Sequence, residues 1–184
     1  MKLTKGLYLR AAAGAVAASM LLFAGARGPA RADSTTVLQG TGTFTSAVVR
    51  TAQTLDPPCV SLVTRTGTVA FAGFITAASG NFQSHALRDA CADPVQGPTT
   101  QTYDLPHATI GGKTGHLVVQ AEGIFEGDAT VAPGARSRYH LTITGVGGDF
   151  KGAVGEGQSV GLATTAASTN TYYVTITLQG HQGH

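Results

Sequence analysis

The sequence predicts one exported all-β domain, built as an antiparallel sandwich or a closed barrel. Three observations carry that expectation. Charged residues make up 12% of the 184-residue chain, about half the usual share, while glycine, at 25 residues, is about twice as common as usual. Long salt-bridged helices and coiled coils are thereby excluded. Short runs of Thr, Val and Phe alternate with Gly, Ser and Thr, which is the period-two pattern of strands with unlike faces. Turn signals punctuate these runs at Asp56-Pro57-Pro58, Gly111-Gly112, Gly127-Asp128, Pro133-Gly134 and Gly147-Gly148-Asp149.

The first element read along the chain is an export signal at residues 1–32. Lys2, Lys5 and Arg10 form a positive n-region, Ala11 to Ala26 is apolar, and Ala30-Arg31-Ala32 has the small-x-small pattern of a cleavage site. The apolar run falls short of the roughly 20 residues that a membrane span requires. A Sec-type signal cleaved after Ala32 therefore leaves a domain over 33–184 that is secreted or periplasmic, with no membrane span in the mature chain. The formal charge of +2 misleads for the same reason. Five of the twelve basic residues precede Asp33, leaving seven against ten acidic ones, so a nucleic-acid partner is excluded. Export also directs the reading of Cys59 and Cys91, the only cysteines, toward a disulfide.

Within the domain, Thr35 to Ser46 and Val60 to Thr76 read as strands separated by the proline turn. The pattern weakens from Ala77 to His107, where a short helix is expected around Ser84 to Ala90 and a long loop over Ala92 to Thr100. The second half is clearer. In His116 to Phe125, Leu117, Val119 and Ala121 share one face. Tyr139, Leu141 and Ile143 alternate with Arg138, His140 and Thr142, and Tyr172, Val174, Ile176 and Leu178 alternate with Tyr173, Thr175 and Thr177.

The segment Gly115-His116-Leu117-Val118-Val119-Gln120, then Leu141-Thr142-Ile143-Thr144-Gly145-Val146-Gly147-Gly148-Asp149-Phe150-Lys151-Gly152-Ala153, then Tyr172 to Gly180, resembles the C-terminal half of allene oxide cyclase and dirigent-like barrels. The order, spacing and residue types agree together. The resemblance implies a closed antiparallel eight-stranded barrel with a mostly apolar interior. It implies binding of a small hydrophobic molecule, whose cyclisation or isomerisation such relatives steer without a cofactor, and a homo-oligomer, since relatives are often dimers or trimers. Plant members keep their polar cavity groups in N-terminal strands. The stretch from Thr35 to Thr76 holds one carboxylate, Asp56, and no Asn, so no catalytic residue is carried over from them.

Several motifs dissolve on inspection. Gly157-Gln158-Ser159-Val160-Gly161 matches a nucleophile elbow, but no acidic residue follows Glu156 and the chain beyond is β-patterned, so Ser159 reads as a strand residue. Gly112-Lys113-Thr114 lacks the earlier glycine of a phosphate loop, that position being His107. The six histidines show no i+2 or i+4 pair, so no metal site is expected, and His181 and His184 read as solvated tail residues. What remains is a set of polar strand residues. If their faces point inward, Glu122, as a general acid or base, and His140 are the candidate catalytic residues, and Gln120, Tyr139 and Tyr172 the candidate ligand contacts. The competing reading makes the charged faces the wet exterior and the whole protein a non-catalytic module with a packed lumen and a partner on its outer surface.

Overall fold

The structure, a computed structural model, describes residues 35–179. The expected leader over 1–32, His181 and His184 lie outside the described residues. Eight strands follow one another: β1 (Thr36–Thr54), β2 (Val60–Gly73), β3 (Ala77–Asp89), β4 (Gln96–Ile110), β5 (Lys113–Glu126), β6 (Ala135–Gly148), β7 (Val154–Ala163) and β8 (Ala167–Leu178). Each is antiparallel to the next, and β1 pairs with β8 from Thr36↔Leu178 to Ala47↔Ala167, closing a barrel-like ring. Closure leaves no strand edge exposed to pair with another chain. Among the described residues no helix is long and apolar enough to cross a membrane.

Two local expectations are corrected. Ser84 to Ala90 is not helical. It belongs to the end of β3, where Phe82 and Ser84 turn inward and Ser84 pairs with both Arg65 and Gln101. Flanking strands supply its backbone partners, which a lone turn of helix has no means to match. The expected loop over Ala92 to Thr100 is also shorter, because β4 begins at Gln96 and carries Pro98 opposite Ile124. Ser159 lies on β7, as the strand pattern requires.

The interior is built from the alternate residues of every strand. At one end it is filled. Phe44, Phe71, Phe82, Tyr103 and Tyr172 are buried together, with Phe44 and Phe71 stacked at 4.9 Å between centroids and Phe82 stacked on Tyr103 at 5.4 Å. Beyond them Ile75, Ile110, Leu117, Phe150 and Ile176 complete the core. Phe150 sits in the β6–β7 turn, and its carbonyl oxygen would lie 1.7 Å from a Cβ on Gly145, so only glycine lets the turn fold over the end. Register shifts opposite Val69–Phe71, at Leu105–Ala108 and opposite His116–Leu117 all fall in this half. Such bulges add twist and bend the strands across the core.

The other half is polar. Ser46, Ser61, Ser84, Thr99, Gln101, Ser137, Ser159, Ser168 and Asn170 are all buried, and the Ser46 and Ser168 hydroxyls lie 2.6 Å apart. The interior is therefore divided, in contrast to the mostly apolar one that the resemblance implies.

Candidate functional site

A cavity of about 30 Å³ with an open mouth occupies the polar end of the ring. It lies where β1, β3, β5 and β7 finish and β2, β4, β6 and β8 begin. Val63, Ala86, Phe125, Ala135 and Ala163 supply apolar wall, and small residues at three of these positions leave the space that bulkier ones fill at the opposite end.

Charge enters from three strands. Arg50 on β1, Arg65 on β2 and Arg88 on β3 line the cavity, against, among the described residues, a single carboxylate, Asp128. Arg50 continues the inward series of Phe44, Ser46 and Val48, and Arg65 lies in that of Val63, Gly67, Val69 and Phe71. The strand register makes the two direct cross-strand partners. Burial pushes the Arg65 guanidinium below its usual pKa, and the charge of Arg50 adds to that push while Tyr139 opposes it. Guanidinium nevertheless stays protonated at ordinary pH. Among the described residues, neither Arg50 nor Arg65 forms a salt bridge.

Arg88 is engaged differently. Its Nη2 donates to Asp128 Oδ2 at 2.6 Å, while its Nε is buried with no hydrogen-bond partner among the described residues. Asp128 also accepts from the Thr130 backbone N–H at 2.9 Å and from its hydroxyl at 2.7 Å. The backbone hydrogen bond is the largest influence that holds the Asp128 carboxyl at about 2, with the Thr130 hydroxyl and Arg88 adding to it and burial opposing it. Such a carboxylate is a weak proton acceptor near neutral pH.

Gln101 forms the floor between cavity and core. Its amide Nε2 donates to the Tyr139 hydroxyl at 2.5 Å, and its Oε1 accepts from the Tyr103 hydroxyl. Burial raises the pKa of both phenols, that of Tyr139 being pulled partly back by hydrogen bonds with Ser137 and Thr99 and by Arg65. Both remain neutral at physiological pH.

The residues singled out from the sequence are separated by this arrangement. Tyr139 lines the cavity. Tyr172 is buried in the aromatic core, where its hydroxyl accepts the Ile75 N–H at 2.8 Å and donates to the Ile75 carbonyl at 3.1 Å, so its role here is to hold the β2–β3 turn. Glu122, His140 and Gln120 are corrected as lumen residues: each is exposed on the outer face, and Glu122 and His140 face one another across β5 and β6. The cause is strand parity. Ala121 and Leu141 point inward, so their neighbours point out. Cys59 and Cys91 are disulfide-bonded, with Cα atoms 5.3 Å apart, joining the chain just before β2 to the chain just after β3 at the cavity end.

Arg50, Arg65, Arg88, Gln101 and Asp128 were not legible as site residues. A usable signal existed for Arg65, whose odd-numbered parity it shares with Val63, Val69 and Phe71. Compared with known proteins, the chain matches no family model and no curated protein.

Proposed function

We propose that this chain is an exported allene oxide cyclase/dirigent-like barrel that holds a small, largely hydrophobic molecule in the cavity at its polar end. One observation carries the reading: the same ring is filled solidly by aromatic and aliphatic side chains at one end, whereas at the other charged, polar and small apolar side chains converge on an open-mouthed cavity of about 30 Å³. The lining combines apolar wall with a few convergent polar groups, as small-molecule sites do. A fully packed lumen with a partner on the outer surface accounts less well for the convergence of Arg50, Arg65 and Arg88 on this end of the interior. The disulfide is compatible with an extracellular location.

The chemistry of the lining favours holding and shaping the ligand over proton transfer. Asp128 is ion-paired and held at about 2, and Tyr139 is kept neutral by burial. Steering of a reactive guest would come from its orientation against Tyr139 and the cavity walls.

Native mass spectrometry of the protein purified from its own host, followed by extraction under denaturing conditions, tests this. A stoichiometric small hydrophobic species is expected, and Ala86→Phe, which places a ring in the cavity, is expected to abolish its retention. Absence of any bound species, together with no thermal shift across a panel of hydrophobic compounds, overturns the reading in favour of a surface-binding module.

A further inference from the structure

We propose that the loop between β5 and β6, residues 127–134, is a lid on the cavity, hinged at Gly127 and Gly134 and held shut by the Arg88–Asp128 ion pair. The proposal rests on the reading of the cavity as a ligand site and names what controls entry to it.

The first observation is one of size. At about 30 Å³ the cavity has room for roughly two water molecules, so an organic guest enters only when part of the wall moves. Most of that wall is fixed, because it belongs to strands whose backbone groups are paired on both sides. Of the lining residues, among those described, Gly127, Asp128 and Ala129 alone lie outside the strands.

The second observation is how the loop is tied down. Its own bonds make it a unit: the Asp128 carboxylate accepts from the Thr130 N–H and hydroxyl, the Asp128 carbonyl from the Val131 N–H at 3.1 Å, and the Val131 carbonyl from the Gly134 N–H at 2.8 Å. Among the described residues, the one hydrogen bond that reaches residues 128–133 from outside the loop is that of Arg88 to Asp128, at 2.6 Å. No large apolar side chain anchors the loop, and Val131 is 62% exposed. Segments with so few buried apolar contacts open at low free energy. Both ends are glycines in the left-handed region, Gly127 at φ +96° and Gly134 at φ +106°, and they meet, since a Cβ on Gly127 would lie 3.0 Å from the Gly134 carbonyl oxygen. A compact loop with a closed neck turns as a body about its ends, and glycine gives those ends the backbone freedom.

The third observation is Arg88 itself. It is the last inward residue of β3, with Nη2 on Asp128 and Nε buried without a partner among the described residues. An unmet buried donor penalises the shut position, and opening returns it to water. One strong contact opposed by one unmet donor brings the two positions close in free energy, as a gate requires. Asp128 is held at about 2, so the pair stays charged in neutral and mildly acidic solution and is loosened by salt rather than by pH.

The two cysteines of the chain are both in the disulfide, so a single added thiol reports access to the interior. Ala163→Cys places one on the cavity wall, at a position 6% exposed. Its alkylation by iodoacetamide is followed by intact mass spectrometry of the ligand-free protein with the disulfide kept. Labelling is expected to be slow, and faster by about tenfold when Arg88→Met or, separately, Asp128→Asn is added, the effect of one lost charge-assisted hydrogen bond. Rising salt is expected to speed labelling in the Ala163→Cys parent and in neither latch variant, a difference that general loosening of the fold does not produce. Asp128→Asn retains an acceptor for Thr130, so it carries the test should Arg88→Met fold poorly. Labelling at one rate and with one salt response in the parent and both latch variants overturns the lid, and so does labelling of the parent as fast as a free thiol in a peptide. Native mass spectrometry of the same proteins keeps the two readings apart. Latch-dependent labelling with no retained molecule overturns the ligand reading alone, whereas a retained molecule with latch-independent labelling overturns the lid alone.

Discussion

Arg50 and Arg65 stand opposite each other on neighbouring strands with both side chains turned toward the interior of the ring. Their mutual repulsion and the desolvation of Arg65 both weigh against the ligand-free fold. Arg65→Met is therefore expected to stabilise the empty protein modestly, by up to about 1 kcal/mol after solvent screening, because an apolar side chain of similar reach removes a half-buried charge that has no salt-bridge partner among the described residues. Urea unfolding without ligand measures this. A midpoint lower than that of the parent protein would show that Arg65 is held by favourable contacts of its own.

Tyr172 tests a structural role instead. Its hydroxyl is the acceptor for the Ile75 N–H, and Ile75 is buried at 1% exposure. Tyr172→Phe leaves that donor unsatisfied and is expected to cost about 1–3 kcal/mol. Cavity binding should be unaffected, since Tyr172 packs among Phe44 and Phe71 rather than on the cavity wall. Thermal unfolding and ligand titration of the same variant separate the two effects.

The acid limb of stability should report Asp128. Its carboxyl is lowered from 3.8 to about 2 in the folded state, so its contribution is fully present above 3.8 and is lost as the pH falls toward 2. The sign follows from linkage: in that window the unfolded chain binds the proton more readily. Asp128→Asn is expected to flatten the decline between those two pH values. A decline of unchanged steepness in the variant would assign it to other carboxylates.

Glu122 and His140 provide the control on the outside. Both are exposed and pair across β5 and β6 away from the interior. Glu122→Gln and His140→Gln are expected to leave ligand affinity unchanged and to alter stability by no more than about 0.5 kcal/mol. A tenfold loss of affinity in either would mean that the outer face takes part in binding.

The Cys59–Cys91 disulfide closes a sequence separation of 32 at the cavity end of the ring. On the loop-entropy account, replacing both cysteines by alanine costs about 3–4 kcal/mol. Denaturant unfolding of the double variant, compared with the oxidised parent, checks the magnitude.

Much of this molecule follows from period two alone. The inner faces Leu117-Val119-Ala121, Tyr139-Leu141-Ile143 and Tyr172-Val174-Ile176-Leu178 are the alternations visible in the chain, and all are buried. The glycine turns at Gly111-Gly112 and Gly147-Gly148-Asp149 lie where glycine's permitted backbone predicts them, with Gly112 at φ +80° and Gly148 at φ +61°. Other features were hidden for identifiable reasons. In β4 the inward residues change from Tyr103 and Leu105 to Ala108 and Ile110 across a bulge, which breaks the alternation that a reader counts. Ser84 to Ala90 is short and has few large apolar residues, so its neighbours rather than its own pattern make it a strand.

The sequence by itself determined the all-β character, the pairing of cysteines and which residues of the later strands share a face. Tertiary structure alone decided that Arg50, Arg65, Arg88, Gln101 and Tyr139 meet at one end of the ring. Alternation specifies the face on which a side chain lies, whereas its height inside the ring depends on how eight strands are staggered against one another. That stagger is set by backbone pairing between residues far apart in the chain.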